Sequence, residues 1–172
     1  MLRANGVIIG LCLLLTACGH QQPQRPSQRK GDAPKADSAQ LALLELNQQL
    51  AIAADQQLAQ WAQAQDRPYA LYESNVWMTV IDRGEEEAPA TDRARIIAMR
   101  IYNLDGQLLA DIEGSYRIGR RELPQGVEAN IGELHQGGKA RMAIPWYAAF
   151  GITGTDHIPP YENVIIDVEL KE

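Results

Sequence analysis

Apolar side chains recur at intervals of three or four residues between Asp37 and Pro68, which is the pattern of an amphipathic helix. The start has the form of a capping box, in which Asp37 covers free backbone N–H groups and Gln40 reaches back. We predict one helix over 37–67 that packs on the following domain, with a dimerising coiled coil as the alternative. The predicted apolar stripe consists of Leu43, Leu46, Leu50, Ala54, Leu58 and Trp61.

Beyond Pro68 the pattern becomes that of strands. Segments 76–81 and 95–102 are rich in β-branched and aromatic residues, and residues 104–107 supply a turn. Segments 139–144 and 164–170 alternate polar and apolar residues, which is typical of half-buried antiparallel strands.

A short helix is predicted between these strands, over 126–134, because Val127, Ile131 and Leu134 are spaced to face a sheet. The order of strands, one short helix and further strands predicts an α+β fold. We expect a curved antiparallel sheet with a helix across it, occupying 69–172 and preceded by the amphipathic helix.

The first residues have the pattern of a secretory signal. Arg3 precedes an apolar run, and small residues lead to Cys18, which predicts a lipoprotein signal peptide over 1–17. The end, Leu15-Thr16-Ala17-Cys18, resembles the bacterial lipobox, which implies cleavage before Cys18 and its acylation. Segment 18–36 is polar and rich in Pro and Gln, so we expect a flexible tether.

Composition excludes several functions. The net charge of -6 and the absence of a basic stripe argue against nucleic acid as a partner. The two cysteines, Cys12 and Cys18, leave no thiol for the predicted domain. The three histidines have no metal-ligand spacing, so we expect neither a metal nor a cofactor.

The C-terminal part of the sequence resembles the FKBP-type peptidyl-prolyl isomerases. Phe150-Gly151 and Gly154, then Ile158-Pro159-Pro160, then Val164 to Leu170 are similar to the family's aromatic-glycine loop, Ile-Pro-Pro and final strand. Gly126 to Leu134 resembles its short helix, and Leu104-Asp105-Gly106 its early turn. With the predicted anchor and helix, the chain is also similar to FKBP-type lipoproteins of gliding bacteria.

This resemblance implies a prolyl cleft and the residues that form it. Glu122 and the backbone of Leu123 and Pro124 would stand at the edge that hydrogen-bonds the substrate. Asp111 lies one residue beyond the position of the family's buried aspartate, where Ala110 falls, and is counted with the catalytic residues of the cleft. The catalytic cleft would be lined by Met99, Leu109, Leu123, Val127, Phe150, Ile158 and Ile166.

The sequence also departs from the family's pattern. Phe150 replaces the loop tyrosine that bonds the substrate carbonyl, and Pro124 removes a backbone N–H that the family donates. Val127 replaces the indole floor, Met99 the tyrosine of the early strand, and Leu109 the phenylalanine after the turn. For Leu123, Val127 and Ile166, a plain core position is the alternative interpretation.

Three hypotheses follow from the resemblance. The first is a membrane-tethered isomerase that acts on proline-containing segments of exported proteins. The second is an FKBP-fold binding module, catalytically weak or inactive, in an envelope or gliding-type surface assembly. The third is a structural lipoprotein without a cleft beside Phe150. The expected location is the cell envelope, on the outer membrane or the periplasmic face, with a monomer expected.

Overall fold

A computed structural model describes residues 38–85 and 94–171 of the chain. The predictions made for 1–36 and for the capping residue Asp37 lie outside these described residues. The elements in chain order are α1 Ser38–Gln63, β1 Ala70–Leu71, β2 Trp77–Asp82, β3 Ala94–Tyr102, β4 Leu108–Arg117, α2 Gln125–Asn130, β5 Lys139–Ile144 and β6 Val164–Leu170.

The strands form one six-stranded sheet in the order β1-β2-β5-β6-β3-β4. Every neighbouring pair is antiparallel. β3 and β4 are joined by a tight turn in which Gly106 has a φ of 84°, a left-handed conformation that glycine adopts without steric cost. The α+β class predicted from the sequence is confirmed, and the predicted strands 139–144 and 164–170 coincide with β5 and β6.

The main core lies between the sheet and α2. Alternate residues of β3, β5 and β6 point to this face, where Val127 and Ile131 meet them. Gly126 permits the close approach of α2, because a Cβ atom there would lie 2.6 Å from Cγ2 of Ile144 and 2.9 Å from Cγ2 of Val76. The short helix is therefore fixed against the centre of the sheet.

Helix α1 packs on the opposite face of the sheet mainly through its C-terminal half. Leu58 is fully buried and forms a second cluster with Ala143 of β5 and Ile165 of β6. In the N-terminal half the Asn47 side-chain oxygen accepts a hydrogen bond from the Tyr161 hydroxyl at 3.3 Å, but Leu43 and Leu46 are 55% and 50% exposed. The prediction that the stripe packs on the domain is therefore confirmed for Leu58 and Trp61 and wrong for Leu43 and Leu46.

The helix also ends earlier than predicted, at Gln63 rather than next to Pro68. Residues 64–69 lead from α1 to β1 as turns and irregular backbone. Within the described ranges 38–85 and 94–171, no helix combines the length and the hydropathy that crossing a membrane requires.

Candidate functional site

A groove opens between the first residues of β4 and the segment that joins β5 to β6. Its apolar wall is formed by Leu109 and Ile112 of β4 and by Phe150 and Ile158 of the joining segment. The volume is about 570 Å³, in the range of sites that take small ligands. We call this depression the β4 groove, and residues 145–163 the β5–β6 segment.

Hydrogen bonds within the β5–β6 segment fix one wall of the β4 groove. The Thr155 hydroxyl oxygen accepts the backbone N–H of Ile158 at 3.1 Å, and the Thr155 N–H donates to the Ile158 carbonyl at 2.8 Å. Gly154 has a φ of 61°, and a Cβ atom there would lie 2.2 Å from that carbonyl. Only glycine fits this position, so the sequence dictates a closed turn that presents Ile158 to the groove.

Three of the predicted cleft residues lie on the groove surface and others beneath it. Leu109, Phe150 and Ile158 line the groove. Met99 is 3% exposed, whereas Val127 and Ile166 have no exposed surface, so these three belong to the core below. The alternative interpretation of Val127 and Ile166 as core residues agrees with their burial.

Leu123 is nearly buried and stands away from the β4 groove, at the N-terminal end of α2. It borders a separate depression of about 560 Å³ together with Ser74 and Arg121. The structure therefore brings Leu109, Phe150 and Ile158 together on one surface, and places Leu123 on another.

Asp111 does not occupy a buried position. In the β3–β4 register it pairs with Arg100, on the outer face of the sheet, and its side chain is exposed at the rim of the β4 groove. Ala110 pairs with the fully buried Ile101 and packs against the core. The prediction of Asp111 as a residue inside the cleft is corrected accordingly, since the alternation of β4 turns its carboxylate outward.

The carboxylate of Glu122 is occupied within the chain. It accepts the backbone N–H of Arg117 at 2.8 Å and forms an ion pair with the Arg117 guanidinium at 2.7 Å. These bonds lower the pKa of Glu122, with the backbone N–H of Arg117 as the main cause. Glu122 therefore holds the loop between β4 and α2, and only its backbone is left for the substrate edge implied by the resemblance.

A second carboxylate, Glu128, was missed by sequence reasoning. Its side chain accepts the backbone N–H groups of Gly119, Arg121 and Leu123. The loop ends at Pro124, where α2 begins. The Pro124 carbonyl accepts the first backbone N–H groups of the helix, from Val127 at 3.0 Å and from Glu128 at 2.9 Å. Glu128 lies in the first turn of the short helix, four residues after Pro124. An acidic residue at this place in the sequence could have indicated that its side chain accepts backbone N–H groups near the start of the helix.

Sequence reasoning also missed part of the groove lining. Ile112 follows Ala110 on the inner face of β4, and Asp156 and His157 stand at the mouth of the groove. The alternation of β4 could have identified Ile112, but only once the strand was extended beyond the turn at Gly106. Nothing in the local pattern distinguishes Asp156 or His157 from ordinary loop residues.

Comparison with known proteins matches this part of the chain to one family. Residues 104–171 match the sequence family described as FKBP-type peptidyl-prolyl cis-trans isomerase. A relative named FK506-binding protein 4 from Dictyostelium discoideum is 40% identical over 57 residues, which are 33% of this chain and 16% of that protein. FK506-binding protein 4 from Neurospora crassa is 33% identical over 58 residues, 34% of this chain and 12% of the relative. The match thus spans less than a fifth of each relative.

Solved structures show the same fold. FkpA from Escherichia coli aligns with a TM-score of 0.59 and 21% identity, over 78% of this chain and 64% of that one. A peptidyl-prolyl cis-trans isomerase from Pseudomonas syringae pv. tomato aligns with a TM-score of 0.59 and 19% identity, over 72% of this chain and 93% of that one. The fold is therefore FKBP-like, and residues 104–171 carry the sequence features of the family.

Proposed function

We propose that this chain, whose C-terminal part has the fold and the sequence features of the FKBP-type peptidyl-prolyl isomerases, catalyses cis-trans isomerisation of prolyl bonds in exported proteins. The observation that carries the proposal is the β4 groove, an apolar surface formed by Leu109, Phe150 and Ile158 inside the stretch that matches the family. A prolyl ring is apolar and compact, so such a surface suits it.

Isomerisation needs no nucleophile. The barrier of about 18–20 kcal/mol reflects the resonance that keeps the amide planar, and for X-Pro bonds both isomers are populated. The twisted transition state loses the charge separation of the planar amide, so an apolar surface that excludes water favours it over the planar state. Thr155, the hydroxyl residue of the groove, already accepts backbone N–H groups, which agrees with a non-covalent mechanism.

One observation favours a second function, that of a binding module. Phe150 carries no hydroxyl, and Pro124 has no backbone N–H, so two substrate hydrogen bonds implied by the family pattern cannot form. A protein hydrogen bond contributes about 0.5–1.5 kcal/mol. A groove without these two bonds can still hold a proline-containing segment of a partner in an envelope or surface assembly.

We further propose that the domain works on a membrane surface, with Cys18 as the acylated anchor. Support comes from the apolar run that ends at Leu15-Thr16-Ala17-Cys18 and from the polar segment 18–36 that follows. Acyl chains contribute about 0.8 kcal/mol per buried CH₂, so two or more chains hold a protein firmly. The proposed location is the cell envelope, on the outer membrane or the periplasmic face.

A protease-coupled isomerisation assay with the full chain and a proline-containing peptide tests the activity. We expect faster isomerisation with the wild type, and about a fivefold or greater loss of kcat/KM in Phe150→Ala, since a buried aromatic contact contributes about 1 kcal/mol or more. Ile152→Ala is the matched control, because Ile152 lies in the same segment, is 55% exposed and does not line the β4 groove.

The two functions separate clearly in this assay. A rate equal to that of the uncatalysed reaction, together with saturable binding of the peptide, would replace the isomerase by the binding module. If the protein neither isomerises nor binds the peptide, both proposed functions are excluded.

A further inference from the structure

Helix α1 is hydrogen-bonded to the segment that carries Phe150. The Tyr147 hydroxyl donates to one carboxylate oxygen of Asp55 on α1. The Asn75 side-chain amide donates to the other carboxylate oxygen at 3.2 Å and to the Tyr147 hydroxyl at 3.0 Å. These three side chains form a closed triangle between α1, the turn before β2 and the β5–β6 segment.

A second link joins the same two elements two residues further along α1. The side-chain amide of Asn163 donates to Oε1 of Gln57 at 2.9 Å, and its oxygen accepts the backbone N–H of Trp146 at 2.9 Å. Asn163 is only 7% exposed, and its bond to Trp146 is buried, where a hydrogen bond is strong, whereas its bond to Gln57 is half-buried. Two adjacent residues, Trp146 and Tyr147, are thus held from α1.

These two residues are connected directly to the wall of the β4 groove. The Trp146 carbonyl accepts the backbone N–H groups of Ala149 at 3.2 Å and of Gly151 at 2.8 Å, the two neighbours of Phe150. The Gly151 carbonyl in turn accepts the N–H of Tyr161 at 3.1 Å. A movement of Tyr147 therefore changes the backbone on both sides of Phe150.

We propose that Asp55 is a positioning residue of the β4 groove, which sets the place of Phe150 by holding Tyr147 from helix α1. The inference rests on the proposed function for its effect on substrate, but its structural part stands on the hydrogen bonds alone. Helix α1 lies outside residues 104–171, so this control of the groove is supplied by a part of the chain that the family match does not include.

The protonation state of Tyr147 favours its hydrogen bond to Asp55. Burial, together with the hydrogen bond to Asp55, raises the pKa of Tyr147 to about 12, while the Asn75 amide opposes the rise. The phenol is therefore held as a neutral donor at all ordinary pH values, and a carboxylate acceptor gives the stronger type of hydrogen bond.

The test compares Asp55→Ala and Tyr147→Phe with the wild type in the full chain. Glu45→Ala is the matched control, because it removes the same charge from an exposed position of the same helix. Amide hydrogen exchange of Gly151 reports the segment directly, and the NMR titration of the Tyr147 ring reports the contact. The KM for a proline-containing peptide reports the groove.

We expect exchange at Gly151 to be about tenfold faster in both variants, because the bond to Trp146 is loosened. In Asp55→Ala the pKa of Tyr147 falls below about 12, while burial continues to hold it above its ordinary value. The KM rises about three- to tenfold with a smaller change in kcat, which a loss of global stability would not produce. Combining the two substitutions adds little to either alone, because they remove the same bond.

Unchanged exchange at Gly151 in Asp55→Ala, or effects that simply add in the double variant, would overturn the positioning role. Failure of the proposed function looks different. In that case the wild type neither binds nor isomerises the peptide, while the exchange at Gly151 and the Tyr147 titration still respond to Asp55→Ala.

Discussion

At the scale of single residues, Phe150 decides what the β4 groove can offer a prolyl bond under the proposed function, and Pro124 what the edge at the start of α2 can offer. Phe150 offers a ring face but no hydroxyl, and the nitrogen of Pro124 carries no hydrogen. The Phe150 side chain therefore favours apolar contact over directed hydrogen bonding, and under the proposed function catalysis in the groove would depend on the exclusion of water.

Restoring one donor tests this reasoning. We expect Phe150→Tyr to raise kcat/KM for a proline-containing peptide by about two- to tenfold, since a substrate hydrogen bond contributes about 0.5–1.5 kcal/mol. The same coupled assay measures it, and Phe150→Leu is the control that keeps an apolar side chain without the ring. A Phe150→Tyr variant no faster than the wild type would show that this position does not meet the substrate carbonyl.

The sequence predicted the groove residues unevenly, for physical reasons. Phe150 and Ile158 were found because the loop with Gly151 and Gly154 and the Ile158-Pro159-Pro160 sequence resemble motifs of the family, and such short motifs keep their spacing in the fold. Met99 and Ile166 were placed in the same cleft, yet both alternate inward on central strands and are covered by neighbours. Asp111 was misplaced by one residue, because a shift of one in a strand reverses the face.

At the scale of elements, helix α2 lies in close contact with the sheet. Gly126 lets the helix approach Val76 and Ile144, which are both fully buried and cannot move aside freely. Val127 is the next residue of α2. The distance between the helix and the sheet therefore also sets the position of Val127 in the core beneath the β4 groove.

We expect Gly126→Ala to lower the free energy of unfolding by about 1–3 kcal/mol, the usual cost of overpacking a core. Gly132→Ala is the matched control, since no atom lies within 4 Å of the added Cβ, and it should change stability by less than about 1 kcal/mol. Urea denaturation measures both. Equal effects of the two substitutions would contradict the close approach.

The bounds of an element were predicted well where the pattern of polar and apolar residues in that element shows which residues are buried. β5 and β6 have one face in the core, so polar and apolar residues alternate and their bounds can be read directly. The stripe of α1 continues over Leu43 and Leu46 although no sheet lies beneath them. Periodicity reveals the apolar face of a helix, but the surface that covers it depends on the tertiary structure.

At the scale of the whole molecule, the proposed anchor and the groove lie at opposite ends of the sequence. Acylation at Cys18 would place the domain near a membrane, and a tether of about 20 residues, as the composition of segment 18–36 predicts, would span roughly 25 Å, at 5–6 Å times the square root of its length. Such a tether would let the domain reach polypeptides that emerge at the same surface, as the proposed function requires.

The anchor makes a prediction that is independent of the groove. We expect Cys18→Ala to move the protein from the membrane fraction to the soluble fraction of a bacterial host, because the acceptor of the lipid is lost. Cys12→Ala is the matched control, since Cys12 lies inside the apolar run and should leave the protein membrane-bound. Fractionation followed by mass spectrometry of the N-terminal peptide measures both. If Cys18→Ala stays in the membrane fraction as completely as Cys12→Ala, the protein is held there by something other than lipid on Cys18.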